Sequence, residues 1–554
     1  MLERRRSSDN LSALIRRPAW IATALAVLLL AAVQLRVWLH GRALWNDELA
    51  IAINLKERGP VDLGRGLKYS QVAPIGWLQV ENFLQSLSDS ELVLRLPALI
   101  AGIALLVGTA AVARRAIGDW AAAAAVLLVG SSPMVVYFSS ELKQYAVESA
   151  VALGLLLLGA DYLHRREQRE PLTWRGRAVY AVVLVAALSL SYTALLVLVG
   201  VLAVVALRCW WKLVWRDAVG LWLAAVPALV MAAGLVVLRK MQHMISGQET
   251  FFTGGMPLEG SGLPGIWKWL PQMWAAFAAK PIGAANAWVL LALVVGGVVA
   301  LVLRGRVLWA LLLASPLVMA LAGAAVRGMP MVDRVALYLT APALLLVVAA
   351  LDGLVRLVLA AARGLRPGAV RAAVATVVAL AVGAGGGWAV GLLPSREAAY
   401  EAVRSPIERT QVRALISDVA TRVRPGDVVL AYYWLEMPVD WYGPRYGVSV
   451  DSYLKLGPSG DPQRCRPVTV DAVLAGGGRV WYLHGNQLTS DVGDYRARVV
   501  RELAEHGSIT ASDPLGWTLF DMSAPPQAAS LPEPPASPRW DCLSATPRPA
   551  PSAR

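Results

Sequence analysis

Along the first 394 residues apolar side chains come in unbroken runs, separated by short polar or basic breaks; further on, polar and apolar positions mix at short intervals. A helix crossing a bilayer needs about 20 mostly apolar residues. Eleven runs meet that description: roughly 19–39, 95–113, 119–138, 141–160, 178–192, 193–208, 217–238, 284–303, 307–326, 334–351 and 372–392. The fifth and sixth are nearly contiguous, parted by Leu190-Ser191-Tyr192. Two intervening segments, Gly41–Ser90 and Met241–Ile282, are too long to be simple connectors.

After residue 394 the pattern is that of a water-soluble domain reaching to residue 524. It predicts a helix over Arg396–Val423, strands at Asp427–Tyr433, Arg479–Leu483 and Trp517–Phe520, and a helix at Asp494–His506. Strands alternating with helices indicate a small α/β layer. From Pro525 to the end, nine of thirty residues are proline, which predicts a largely disordered tail. The expected fold is therefore a polytopic α-helical membrane protein carrying a C-terminal external α/β domain.

Positive charge sets the expected orientation. Arg4, Arg5, Arg6, Arg16 and Arg17 place the N-terminus in the cytoplasm. Alternation puts Arg114/Arg115, five arginines over 164–177, Arg208/Lys212/Arg216, Arg304/Arg306 and Arg356–Arg371 on the same side. The short loops on the other side, near 138–141 and 189–193, contain no Lys or Arg. The long first apolar run, with no A-x-A site before the polar stretch, reads as a span rather than a cleaved signal.

Composition narrows the function classes. Of 554 residues, 57% are apolar and 16% charged, against about 25% charged in soluble domains. The net charge of +14 on so apolar a chain fits basic cytoplasmic loops better than nucleic-acid binding. Three widely spaced cysteines exclude a disulfide scaffold and a zinc ribbon, and the five histidines show no metal-ligand spacing. A Cys465–Cys542 bridge would tie the tail to the external domain. No Walker loop, GxGxxG or GxSxG is present.

Four segments could carry chemistry. The first external loop opens with Leu44-Trp45-Asn46-Asp47-Glu48. Adjacent carboxylates there suit proton transfer, with one accepting a proton and the other orienting it or holding a metal. They equally suit a helix start, with Asn46 or Asp47 as cap and Glu48 in the first turn. Lys68–Trp77 leads into an amphipathic helix reaching about Leu87, lying in the interface plane. In Ser139–Glu148, helical spacing would put Glu141, Tyr145 and Glu148 on one face, with Lys143 and Gln144 beside it. Glu141 and Lys143 could snorkel; Glu148 lies two turns deeper, where a charge usually faces a cavity or partner. Lastly, Arg327-Gly328-Met329-Pro330-Met331-Val332-Asp333-Arg334 puts two arginines on an external loop. They suit either a phosphate, through the planar guanidinium fork, or a local ion pair with Asp333.

Taken in order, four pieces resemble the GT-C superfamily of polyprenyl-phosphate-sugar-dependent glycosyltransferases, in the bacterial branch similar to protein O-mannosyltransferases and aminoarabinose transferases. They are Trp45-Asn46-Asp47-Glu48, Tyr69–Leu78, Ser90–Leu99 and Tyr137–Tyr145, all within about the first 150 residues. The resemblance implies inverting transfer of one sugar from a polyprenyl-phosphate carrier to an acceptor hydroxyl, on the external face of a bacterial cell membrane. It makes Asp47 the base or acceptor orienter, accompanied by Glu48. Lys143, Arg327 and Arg334 would meet the donor phosphate, and Tyr69, Gln71, Glu141, Gln144 and Tyr145 the substrates. The chain departs from the family pattern at Gln71 and Ala73-Pro74, where a charged or His residue precedes Pro-Pro, and at Lys143, which replaces an arginine. No cofactor is implied with certainty, and a divalent metal stays open. The expected partners are the lipid-linked sugar, membrane lipid and an acceptor that is protein, lipid or wall glycan. Two other classes remain: a flippase for lipid-linked sugars, and a noncatalytic envelope-assembly subunit.

Overall fold

The computed structural model describes residues 2–69, 71–168, 170, 173–211, 215–240, 255–258, 262–361, 411–457, 474, 478–485, 490–533 and 542–547. Its helices are α1 (Leu2–Leu39), α2 (Asn46–Glu57), α3 (Ile75–Leu87), α4 (Glu91–Leu94), α5 (Leu96–Ala116), α6 (Asp119–Gly130), α7 (Pro133–Phe138), α8 (Tyr145–Glu167), α9 (Trp174–Leu190), α10 (Ala194–Trp211) and α11 (Trp215–Lys240). They continue with α12 (Gly262–Phe277), α13 (Ala287–Leu303), α14 (Val307–Ala325), α15 (Thr340–Ala361), α16 (Val412–Arg422), α17 (Glu436–Tyr446) and α18 (Ser490–Leu503). The chain divides into two compact units: residues 1–41 with 58–406, and residues 42–57 with 407–554.

The first unit is a bundle of apolar helices. Six segments are long and apolar enough to cross a membrane: Arg17–Leu39, Leu96–Ala116, Tyr145–Glu167, Ala194–Trp211, Val307–Ala325 and Asp333–Ala360. The pair Gly262–Ile282 and Ala287–Leu303, bent by 84°, would make a seventh. The protein is thus a polytopic α-helical membrane protein. Ten of the eleven predicted spans coincide with helices, and 372–392 lies outside the described residues. Several helices are shorter than their apolar runs for local reasons. Ser131, Ser132 and Pro133 split 119–138 into α6 and α7, since Pro133 has no N–H to continue the ladder. The run from 334 starts with a 3₁₀ stretch, Asp333–Leu339, before α15.

Packing in this core is close. A Cβ on Gly297 of α13 would collide with the Leu346 carbonyl of α15, so these two backbones meet where only glycine fits. Gly154 of α8, by contrast, has open space around it.

The second unit carries a six-stranded mixed sheet in the order β4-β5-β3-β1-β2-β6. Its strands are β1 (Val428–Tyr432), β2 (Ser452–Gly457), β3 (Arg479–Leu483), β4 (Ser508–Asp513), β5 (Trp517–Asp521) and β6 (Cys542–Pro547). β1 pairs in parallel with both β2 and β3, and the remaining pairings are antiparallel. Leu430, Leu454, Val480, Tyr482, Val499 and Phe520 form its core. β6 lies in the proline-rich tail, where composition predicts no regular structure; it pairs with the free edge of β2 from Ser452↔Pro547 to Gly457↔Cys542. The six residues 542–547 carry one proline, at the strand's end, so the ladder is not interrupted. Cys465 lies outside the described residues, as does the expected domain boundary at 394.

The short helix α2 belongs to this second unit. The Tyr442 hydroxyl accepts the Leu44 N–H at 2.8 Å, and the Lys56 ammonium sits 5.1 Å from the centre of the Trp441 ring. Trp441 and Tyr442 are therefore buried packing residues, whereas Trp434 is exposed.

Two stability predictions follow from this packing. Gly297→Ala should lower the apparent melting midpoint by the equivalent of about 1–3 kcal/mol, while Gly154→Ala should leave it unchanged or raise it slightly. Light-scattering-corrected thermal melts in detergent compare the two. In the sheet, burial pushes the His484 imidazole down to about 4, against the opposing bond to the Gly485 carbonyl. The unfolded chain takes a proton near pH 6.5, so this contribution is intact above pH 6.5 and lost as pH falls toward 4, on the order of 3 kcal/mol in all. Hydrogen exchange of the β3 and β5 peptides in the full chain should show protection falling over that window, and His484→Asn should flatten the dependence.

Candidate active site

At one end of the first unit, three breaks between helices are joined by hydrogen bonds. The first is the stretch before α3, residues 69 and 71–74. The second, residues 139–144, parts α7 from α8; the third, residues 191–193, parts α9 from α10. The Lys143 ammonium donates to Gln71 Oε1 at 2.6 Å. Gln144 Nε2 donates to the Val72 carbonyl at 3.5 Å, and the Tyr192 hydroxyl to the Ala73 carbonyl at 2.6 Å. The Glu148 carboxylate, one turn inside α8, accepts the Thr193 N–H. Glu141, Lys143, Gln144, Tyr145 and Glu148 are all buried. Burying so many polar groups is costly unless each is matched, and among the described residues the buried Gln144 Oε1 has no hydrogen-bond partner.

Local chemistry explains the breaks. Ser139 and Ser140 hydroxyls donate to the carbonyls of Val136 and Tyr137, satisfying the end of α7. Ser191 Oγ accepts the Ala194 N–H at the start of α10. Because α8 begins only at Tyr145, Glu141 sits in the preceding turn and not on a shared helical face, contrary to the periodicity expectation. Tyr145 and Glu148 keep that relation, and Tyr145 stacks edge-on against Phe138 with ring centres 5.1 Å apart.

The fourth segment lies in the same unit. The Arg327 guanidinium donates to the Pro257 carbonyl at 2.6 Å, and the Met331 N–H to the Gly255 carbonyl at 3.3 Å, so this loop is pinned to residues 255–257 within the long 241–282 segment. Arg334 is half-buried at the start of the 3₁₀ stretch, which packs on α8. Among the described residues, the non-glycine residues with positive φ are Tyr69 (+60°), Arg327 (+59°) and Asp333 (+52°). All three fall in segments singled out by sequence. Each such residue costs roughly 1–3 kcal/mol and persists only where its surroundings hold it.

Asp47 and Glu48 are in the second unit, in the first turn of α2. Glu48 is fully buried, and its Oε2 accepts the Trp45 N–H at 3.3 Å, the reciprocal half of a capping box. Asp47 is half-buried beside it. Among the described residues no three His, Cys, Asp or Glu side chains gather closely enough to share a metal ion.

Sequence reasoning passed over several buried polar residues. Tyr192 was legible only as part of a break between two apolar runs, and Thr193 as the first residue of the second run. Gln34 and Arg95 are buried in and beside the helices, and a Cβ on Gly102 would strike both Gln34 and Ser139. Glu81 is buried on α3, and among the described residues neither its Oε2 nor the indole N–H of Trp77, one turn earlier, has a hydrogen-bond partner.

No family model and no curated protein matches the chain. Among solved structures it is similar to ArnT from Cupriavidus metallidurans in the apo state (TM-score 0.49, 18% identity, 90% of this chain and 99% of that one). It is also similar to the same protein bound to undecaprenyl phosphate (0.48, 18%, 90% and 99%). A third similarity is to the archaeal oligosaccharyltransferase AglB from Archaeoglobus fulgidus, in complex with an inhibitory peptide and a dolichol-phosphate (0.47, 11%, 92% and 75%).

Burial raises the Glu81 carboxyl well above the usual carboxylate range. The folded protein keeps a proton that the unfolded chain has released, so this contribution is complete below about pH 4.3 and is lost as pH rises through the folded value. Glu81→Gln, which mimics the neutral acid, should raise the melting midpoint at alkaline pH and change it little near pH 4. An unchanged midpoint across that range would refute the assignment.

Proposed function

We propose that this protein is a membrane glycosyltransferase that moves one sugar, with inversion, from a polyprenyl-phosphate carrier to an acceptor hydroxyl at the external face. The observation that carries the reading is the Lys143–Gln71 hydrogen bond, which links two of the four family-like segments across 72 residues of sequence. The strained backbones at Tyr69, Arg327 and Asp333 add to it, because such conformations concentrate at working sites.

In this reading the acceptor oxygen attacks the anomeric carbon as Asp47 takes its proton. The bond from that carbon to the phosphate oxygen breaks, and polyprenyl phosphate leaves with the electron pair. Glu48, through its cap on Trp45, fixes the turn that presents Asp47. Charge grows on the leaving phosphate, so cations already in place favour the transition state over the ground state. Lys143, Arg327 and Arg334 take that role, while Tyr69, Gln71, Glu141, Gln144 and Tyr145 shape the substrate site. No nucleotide fold is needed, because lipid phosphate rather than nucleoside diphosphate carries the sugar; the lipid tail lies in a groove between helices, reached from the bilayer.

Purified protein in liposomes, given a panel of polyprenyl-phosphate sugars and crude envelope acceptors, tests this by release of free polyprenyl phosphate. Asp47→Asn should lower turnover by about 10²–10⁴-fold with normal folding. Lys143→Met should cost roughly 10²–10³-fold, and Lys143→Arg should recover part of it. No release with any donor, while labelled lipid still crosses the bilayer, would replace this reading with the flippase. Indifference of both measurements to Asp47→Asn would favour a noncatalytic subunit.

A further inference from the structure

The end of the bundle where α5, α8 and α10 finish and α14 begins carries two adjoining clefts of about 730 and 740 Å³. Along α8 this end lies about 33 Å from the Lys143 site, since 22 residues separate Tyr145 from Glu167 at 1.5 Å each. Arg115 and Asp161 line both clefts, so the two adjoin along these residues.

Its charges are unevenly matched. Arg208 pairs with Glu167 at 2.6 Å, and Asp161 is taken by Arg165 at 2.8 Å and by the Tyr180 hydroxyl at 3.2 Å. Among the described residues Arg115 and Arg306 have no carboxylate partner. The Arg306 guanidinium instead donates to the backbone carbonyl of Arg115, and both arginines line the first cleft. Two neighbouring cations without a counter-charge repel each other, and an anion between them removes that cost.

The rest of the lining indicates what carries the anion. Leu157, Leu158, Val179 and Val183 form an aliphatic wall in the second cleft, while Trp211 and Trp309 border the first. Tryptophan at the end of a membrane helix sits at headgroup depth, and an aliphatic wall below it suits acyl chains.

We propose that this double cleft is a binding site for a phosphate-bearing anion, with Arg115 and Arg306 as its charge partners and a phospholipid headgroup as its source. The site is separate from the proposed transfer chemistry and stands or falls independently of it.

The test is native mass spectrometry of the full chain released from nanodiscs of phosphatidylglycerol mixed with phosphatidylcholine, with calorimetric titration of inorganic phosphate alongside. The wild type should retain phosphatidylglycerol in preference to phosphatidylcholine. Arg115→Gln with Arg306→Gln should weaken that retention roughly tenfold per arginine, at unchanged melting midpoint. Arg115→Lys with Arg306→Lys should keep a good part of it. Because the double glutamine variant could misfold, Glu167→Gln is the second arm: it removes a carboxylate from the cleft, releases Arg208, and should tighten retention. Saturable binding of inorganic phosphate that displaces the lipid would support the anion site with free phosphate as its source. Equal retention of phosphatidylglycerol by wild type and all variants, with no phosphate binding, would overturn the proposal.

Discussion

Within the apolar layer of a membrane, every backbone N–H and C=O has to find a partner inside the protein, and a helix that stops short leaves several without one. This chain interrupts its helices at residues 131–132, 139–144 and 191–193, and at each place short hydroxyl side chains meet the exposed backbone. Ser131 Oγ donates to the Leu127 carbonyl at 2.6 Å, Ser139 Oγ to the Val136 carbonyl at 2.7 Å, and Ser191 Oγ receives the Ala194 N–H at 3.0 Å. With the ends satisfied locally, the longer polar side chains are released for contacts between segments. Lys143 reaches Gln71, Gln144 reaches Val72 and Tyr192 reaches Ala73. The candidate site thus rests on serine and threonine placement as much as on its charged residues.

The same economy is visible in the backbone. Tyr69, Arg327 and Asp333 hold left-handed conformations that bulky side chains avoid, and Tyr69 and Arg327 are each anchored nearby. Gln71 donates to the Tyr69 carbonyl at 3.2 Å, and Arg327 is held at Pro257. Gln71 is therefore both a donor to the strained residue and an acceptor for the Lys143 ammonium. A single neutral amide, with its separate donor and acceptor ends, couples the two, which neither a carboxylate nor an ammonium could do.

Much of this was legible in the sequence, for identifiable reasons. Helices in the bundle followed from long apolar runs, since a bilayer imposes one length and one polarity on them. The parallel core strands β1 and β3 and the antiparallel β5 showed as short apolar runs after turn residues. β2, β4, α17 and β6 did not. β4 is an exposed edge of mixed composition, β6 pairs through its main chain in a proline-rich region, and α17 contains Pro438 and Pro444. At the site, Lys143 and Gln71 were legible as residue types, but their meeting depends on a tertiary contact between distant loops. Glu141 was assigned to a helical face because its spacing suited one; the serine-stabilised break before Tyr145 decided otherwise. Glu81 and Tyr192 left no periodic signature, since a buried polar residue looks the same in sequence as an exposed one.

The second unit is made of pieces from opposite ends of the chain, residues 42–57 and 407–554. During synthesis α2 emerges early, while Trp441 and Tyr442, which receive it, are added some four hundred residues later. At about 5–20 residues per second that interval lasts tens of seconds. Throughout it Leu44 and Lys56, near the two ends of α2, lack the Tyr442 hydroxyl and the Trp441 ring that they meet in the folded protein. The helix that carries Asp47 and Glu48 in its first turn consequently gains these two contacts only after residues 441 and 442 have been made.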